Sequence, residues 1–399
     1  MTRDTIETLE SSFSTLALHA DDEFAFASDV APGIGVSTTF RMGYVGAVSE
    51  RVGPNGRPNY IYSRDTTNNR DRLEIVLGKL TEGHAVTYAS GQAAGFAALV
   101  HYKPRRVAIR GGYHGTHGSL KVYNRHHAID VIDIDDPYEE GDLVWIESPH
   151  NPEGEIFGNA NAKIIVDATF APPPLSYPFR LGVDLVMHST SKYFSGHSDG
   201  LGGLLVAPSA EQATELREDR VYLGSVLGSL ETWLLLRSVR TLKVRVVQQS
   251  ITAEALARWL NGASGGKAYD GIPAKTIHSV RHASLQDFTA SPSPTAPGQE
   301  PKPSGCHQGW DVAKQNPGGF GACFSVLLYT SAQARKIPFT LTLHQPATSL
   351  GGVESLIEWR YGVDPSQDER LVRVSIGLEE LDDLKEDWRR GLKRLVYEE

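Results

Sequence analysis

Between about residue 70 and residue 245, short apolar runs alternate with stretches of helical spacing. DRLEIVLGKL (71–80) has the 3.6-residue repeat of a helix with one buried face. RRVAIR (105–110), DLVWIES (142–148), AKIIVDATF (162–170), VDLVMHS (183–189) and GGLLVAP (202–208) read as strands. Their near-continuous apolar character suits strands covered on both faces, and the helix-length segments between them suit crossovers. Together they predict βαβ units and a mainly parallel sheet. LKVRVVQQSITAEALARWL (242–260) follows as a long amphipathic helix, with Val244, Val247, Ile251, Leu256 and Leu260 available for burial.

Beyond that helix the pattern predicts a second α/β unit. FGACFSVLLYT (320–330) and RLVRVSIGL (370–378) are its strands, and DLKEDWRRGLKRL (383–395) is a closing helix. Residues 289–309, rich in Pro, Ser and Gly, interrupt it as an exposed loop. The first sixty residues are polar and poorly periodic, which suits an arm wrapped on a partner subunit better than a domain. The expected division is therefore an arm (1–62), a large unit (63–245) and a small C-terminal unit (246–399).

Composition narrows the function classes. A chain of 399 residues with net charge −9 shows no basic patch, so a nucleic-acid partner is not expected. No apolar stretch approaches a membrane span, and the charged start MTRDTIETLE lacks the apolar core of a signal peptide. Two cysteines, Cys306 and Cys323, form no metal-like or disulfide-like spacing, so a reducing, cytoplasmic location is expected. His114 and His117 are close together in GGYHGTHG, but without Cys or carboxylate companions they give no metal site.

Four features carry candidate chemistry. In ASGQAAGFAAL (89–99), Ser90 and Gly91 stand before a helix-forming stretch, where backbone N–H groups can cradle an anion. Ser-Gly caps helices that bind nothing too, and no nucleotide-phosphate motif is present. Asp167 ends an apolar strand, where a carboxylate needs a cationic partner or several donors unless it merely caps a turn. Lys192, in HSTSKYFSGHSD, also follows a strand, beside Ser189 and Ser191. A lysine desolvated there becomes a usable amine. Tyr113 supplies an aromatic on a glycine-bearing loop. An amine, a phosphate cradle, a buried carboxylate and an aromatic are what a phosphorylated pyridine aldehyde requires.

In ordered motifs from about residue 35 onward, the sequence resembles the Cys/Met-metabolism family of pyridoxal-phosphate enzymes, the cystathionine γ-synthase-like group. YSR (62–64), ASGQAA, GYHGT (112–116), ESPHNP (147–152), VDATFAPP (166–173), HSTSKYFSGHSD, LLLRSVRTLKVR (234–245), ATSLGGVESLIE (347–358) and LVRVSIGLE (371–379) carry it. The resemblance implies fold type I, with a large mainly parallel domain and a smaller C-terminal one. It implies that Tyr62 and Arg64 reach a neighbouring subunit's cofactor phosphate, which Ser90, Gly91, Gln92, Ser189 and Ser191 also bind. A homodimer would be the smallest active unit and a homotetramer the usual one. Asn151, Asp167 and Thr169 would complete the cofactor site, Lys192 would condense with the aldehyde, and Tyr113 would stack on the ring and assist proton movement. Arg373 would clamp the substrate carboxylate, with Asn151, Thr348 and Ser349 nearby.

Departures from the family pattern point to the reaction. Ala168 replaces the usual asparagine after Asp167, and Gly115 stands where methionine γ-lyases carry cysteine. Thr348 stands where cystathionine synthases and lyases have glutamate, and EWRYGVDPSQDE (358–369) lacks the usual Glu-His-Pro. Trp359 and Arg360 there either reshape the entrance or are surface residues. The pattern resembles the branch of fungal secondary metabolism that performs γ-replacement on O-acetyl-L-homoserine through a vinylglycine-type electrophile. A carbon nucleophile such as a β-keto acid, ester or thioester is expected. Thiol addition, as in cystathionine synthesis or sulfhydrylation, is the alternative, with γ- or β-elimination and a silent scaffold behind it.

Overall fold

The computed structural model describes residues 12–41, 60–134, 136–148, 162–285 and 312–397. The chain divides into two compact units. The first holds the chain to Ile146, the segment ending at Thr169, and Tyr177–Lys243; the second holds Phe170–Ser176 and the chain from Val244.

In the first unit α1 (Phe13–His19) and α2 (Asn68–Leu80) precede β1 (His84–Tyr88), α3 (Gly91–Tyr102), β2 (Arg106–Ala108), α4 (His114–Asn124) and β3 (Asp130–Ile132). There follow β4 (Leu143–Glu147), β5 (Lys163–Asp167), β6 (Leu185–Ser189), β7 (Gly203–Ala207), α5 (Ala210–Leu223) and α6 (Ser229–Val239). The strands form one sheet in the order β1-β7-β6-β5-β4-β2-β3. Pairing is parallel between β5 and β6 and on both sides of β2, whereas β7 runs against both β6 and β1. Strand β7 is buried throughout. Helix α3 packs on this sheet through Ala94, Ala97, Ala98 and Leu99. Its end is local chemistry: Lys103 takes a left-handed conformation (φ 47°) and Pro104 blocks a further turn.

Charge is also built into this core. Buried Glu74 of α2 accepts from Thr87 N–H and Oγ1 at 2.9 Å each and pairs with Arg220 at 2.5 Å and Arg217 at 3.1 Å. Burial alone would raise its pKa, but the two guanidiniums and the Thr87 bond outweigh burial and hold it at about 2.

The C-terminal stretch of the second unit starts within the first turn of α7 (Leu242–Asn261). It continues with β8 (Ile277–Arg281), α8 (Val312–Gln315), β9 (Cys323–Leu328), α9 (Ser331–Lys336), β10 (Gln345–Pro346), β11 (Leu356–Trp359), β12 (Leu371–Ser375) and α10 (Leu381–Tyr397). Its sheet, ordered β10-β11-β12-β9-β8, is antiparallel except between β10 and β11. Helix α10 buries Leu384, Trp388 and Leu392, one helical face.

Helix α7 corrects the face assigned from sequence. Leu256 and Leu260 are buried as expected, but Val244 and Ile251 are 66% and 59% exposed, and Leu242, Val246, Gln249 and Ala253 complete the buried stripe in their place. Gln249 disguised it: its side-chain amide donates to the carbonyls of Gly352 (2.6 Å) and Ile376 (3.1 Å), so a polar residue belongs to the packed face.

Candidate active site

The end of β6, the start of α3 and the end of β5 converge in the first unit. Ser90 caps α3, its Oγ accepting from Ala93 N–H at 3.1 Å. That hydroxyl is spent on the helix, so what Ser90 and Gly91 offer an anion is backbone and helix end rather than side chain. Gly91 lies against Ser189: a Cβ placed on it would sit 3.0 Å from Ser189 Cβ and 3.1 Å from its Oγ. Gly203, first residue of β7, closes the same corner, where a Cβ would overlap the Ser90 carbonyl and sit 2.9 Å from Gly91 N. At Gly203 only glycine permits this approach, and at Gly91 any side chain would press on Ser189.

Asp167 ends β5 in a buried position, and its Oδ1 accepts from Thr169 N–H at 3.0 Å and from Thr169 Oγ1 at 2.5 Å. Thr169 Oγ1 in turn accepts from Ser189 N–H at 2.8 Å. One hydroxyl thus links the strand ends that carry the carboxylate and the serine. Burial pushes the Asp167 carboxyl up to about 6, opposed by the two Thr169 bonds and by the nearby Lys192 charge. Lys192 sits in the turn after β6, its N–H bonded to the Ser189 carbonyl at 3.2 Å and its carbonyl accepting from Gly196 N–H at 2.7 Å. Ser191 Oγ accepts from Gly202 N–H at 3.0 Å.

Tyr113 leads into α4 on a loop in which Gly111 and Gly112 have positive φ, and His117 Nε2 meets the Gly111 carbonyl at 2.6 Å. His117 therefore pins the loop. Among the described residues, no group of three His, Cys, Asp or Glu side chains could hold a metal ion. A Cβ at Gly115 would overlap the Tyr113 ring and the Gln92 carboxamide, so the absence of a side chain at 115 is what lets these two close on each other. Tyr62 and Arg64 are exposed and stacked, with the guanidinium 5.5 Å from the ring centroid. Asn151 lies outside the described residues.

In the second unit Arg373 of β12 donates to the Ser349 carbonyl at 3.0 Å, and Ser349 holds a strained φ of 89°. Thr348 beside it is exposed. Sequence reasoning missed Glu358, which the antiparallel register sets opposite Arg373 and whose Oε2 pairs with it at 2.5 Å. It also left Arg360 undecided between entrance and surface; its Nη1 lies 3.2 Å from the same Glu358 oxygen. Trp359 Nε1 donates to the Glu369 carbonyl at 2.8 Å, anchoring the segment after β11. Half-buried Cys323 adjoins this cluster. Burial raises its thiol to about 11, with Arg373 and Arg360 acting downward and Glu358 and Glu147 upward, so it is an inert side chain at neutral pH.

Comparison with known proteins follows from this geometry. The profile of Cys/Met metabolism PLP-dependent enzymes matches residues 14–291 and 303–393. A cystathionine gamma-synthase of Mycobacterium bovis is 30% identical, over 95% of this chain and 96% of that protein. A cystathionine gamma-lyase of Saccharomyces cerevisiae is 28% identical, over 96% of this chain and 97% of its own length. In structure, metB from Corynebacterium glutamicum aligns with a TM-score of 0.80 and 28% identity, covering 97% of this chain and 99% of that one.

Proposed function

The chain belongs to the Cys/Met metabolism family of PLP-dependent enzymes, with fold type I and pyridoxal phosphate as cofactor, and we propose that it catalyses γ-replacement on O-acetyl-L-homoserine with a carbon nucleophile. The residues present fit that cofactor. A buried carboxylate whose charge is disfavoured by its surroundings is a ready partner for a protonated ring nitrogen, and Asp167 is one. The corner of Gly91, Ser189 and Gly203, too tight for side chains at the glycines, brings backbone to a phosphate. Gln92, Ser189 and Ser191 would contribute there, with Tyr62 and Arg64 from a second subunit of a dimer or tetramer.

Bound pyridoxal phosphate supplies an electron sink that acidifies the C–H bonds near the substrate nitrogen. The chain's own groups do the rest. Lys192 Nζ would hold the cofactor and, once released, would carry protons to and from substrate Cα and Cβ, giving up each before taking the next. Tyr113 would stack on the ring and would give a proton to the departing acetate. Arg373 would bind the α-carboxylate, and Ser349, Thr348 and Asn151 would assist. In sum, acetate leaves Cγ, the acceptor loses a proton, and a carbon–carbon bond forms at Cγ.

The observation that carries the choice of nucleophile is Thr348, exposed and neutral beside Ser349. No carboxylate stands at that position to receive the ammonium group of cysteine, whereas a β-keto acid, ester or thioester has none to be received. Incubation with O-acetyl-L-homoserine and a panel of β-keto acids, esters and thiols, read by mass spectrometry, tests this. Faster turnover with cysteine or sulfide than with every carbon donor refutes the carbon reading. Keto acid and ammonia formed without acceptor, at the best replacement rate, makes the enzyme a lyase. Lys192→Ala should lose turnover and the visible absorbance of the lysine-bound cofactor while, stripped of cofactor, unfolding at about the temperature of stripped wild type.

A further inference from the structure

Glu358 sits between two guanidiniums. Its Oε2 lies 2.5 Å from Arg373 and 3.2 Å from Arg360, while Oε1 is buried with no hydrogen-bond partner among the described residues. The three side chains are largely enclosed, at 6% exposure for Glu358, 15% for Arg373 and 17% for Arg360. Taken alone, the Arg373–Glu358 pair is neutral. A substrate carboxylate approaching its guanidinium end would be attracted only weakly, because the like charge behind the guanidinium offsets much of the pull. Arg360 changes that sum to two cations on one anion, which leaves Arg373 a positive charge to offer. Glu147, the remaining charged group felt at neighbouring Cys323, is the weakest of the four acting there.

We propose that Arg360 is a positioning residue: by occupying Glu358 it keeps Arg373 electrostatically competent to bind the α-carboxylate of the amino-acid substrate. This rests on the assignment of Arg373 to that carboxylate. It also gives a role to the departure at 359–360, where the chain lacks the family's usual His-Pro. A mere surface ion pair would stabilise the segment after β11 and leave ligand binding alone.

The test uses the holoenzyme and two probes, glycine and glycinamide, which share an amine and differ in the carboxylate. Calorimetric affinities are compared with steady-state kinetics on O-acetyl-L-homoserine. Arg360→Ala should weaken glycine about tenfold, as expected for one charge removed at short range in a partly screened site. Glycinamide should be unaffected, and the kinetic loss should fall on KM rather than kcat. Arg360→Lys should recover most of the affinity. Removing both charges, in Glu358→Gln with Arg360→Ala, should restore glycine binding to within about twofold of the parent. Unfolding temperature is followed throughout, and Arg360→Gln replaces the alanine variant if that fails to fold. Unchanged glycine affinity in Arg360→Ala, equal loss for both probes, or no rescue by Glu358→Gln overturns the proposal. Unchanged glycine affinity in Arg373→Ala overturns the Arg373 assignment beneath it, whereas loss there with none at Arg360 refutes the Arg360 role alone.

Discussion

Replacing Asp167 by Asn should move the cofactor-free and the loaded protein in opposite directions. Burial raises the Asp167 carboxyl to about 6 even though Thr169 donates to it twice and Lys192 is near. In an unfolded chain the same group titrates at about 3.9. The folded, cofactor-free protein therefore holds a proton that the unfolded chain gives up. That contribution is complete below the unfolded value and is lost as pH rises through about 6. Near neutral pH the ionised, buried carboxylate then costs the cofactor-free fold about 3 kcal/mol, the two-unit difference converted at ~1.4 kcal/mol each.

Asparagine keeps an oxygen for Thr169 and drops the charge, so the stripped variant should be about 2–3 kcal/mol more stable than stripped wild type near neutral pH. It cannot pair ionically with a protonated ring nitrogen, so its affinity for pyridoxal phosphate should fall about 10- to 100-fold, the worth of a charge-assisted hydrogen bond. Urea unfolding of the stripped proteins on both sides of the Asp167 titration, with a cofactor titration of each, measures both effects. A stripped variant no more stable than wild type near neutral pH, or one that keeps the wild-type pH dependence around 6, would refute the reasoning.

At Gly115, alanine must displace the Tyr113 ring or the Gln92 carboxamide. Turnover and the cofactor's visible spectrum should change together, with unfolding temperature little altered. Glu74→Gln leaves Arg220 buried beside a neutral partner and should destabilise the first unit by about 3–5 kcal/mol in denaturant unfolding. Because Glu74 is held at about 2, its contribution is present above the unfolded carboxyl value and fades as pH falls toward 2. The variant should accordingly lose that part of the parent's acid sensitivity.

Much of this was legible in local pattern. The apolar runs at 142–148, 162–170, 183–189 and 202–208 are where β4 to β7 lie, and Asp167 and Lys192 could be placed at strand ends because those runs stop there. Strand β1 escaped notice: HAVTY is short, and its place in the sheet depends on pairing with β7, which no local period encodes. Glu358 escaped for a related reason. Within ESLIEW it reads as one more strand residue, and only the register between β11 and β12 sets it on Arg373. The misassigned face of α7 shows the opposite limit, since hydrophobicity alone cannot report that Gln249 satisfies two buried carbonyls.

Strand β1 leaves the ribosome long before β7, its sole neighbour among the described strands. At ordinary synthesis rates the wait is on the order of ten seconds, during which one edge of the nascent sheet has nothing to pair with. The same late event seats Gly203 against Ser90 and Gly91. A chain interrupted before residue 203 thus lacks both the β1–β7 pairing and the close corner of Gly91, Ser189 and Gly203. If that corner holds the phosphate as proposed, pyridoxal phosphate should bind the finished unit only, and by mass action its supply should set how often a newly made copy reopens to proteases.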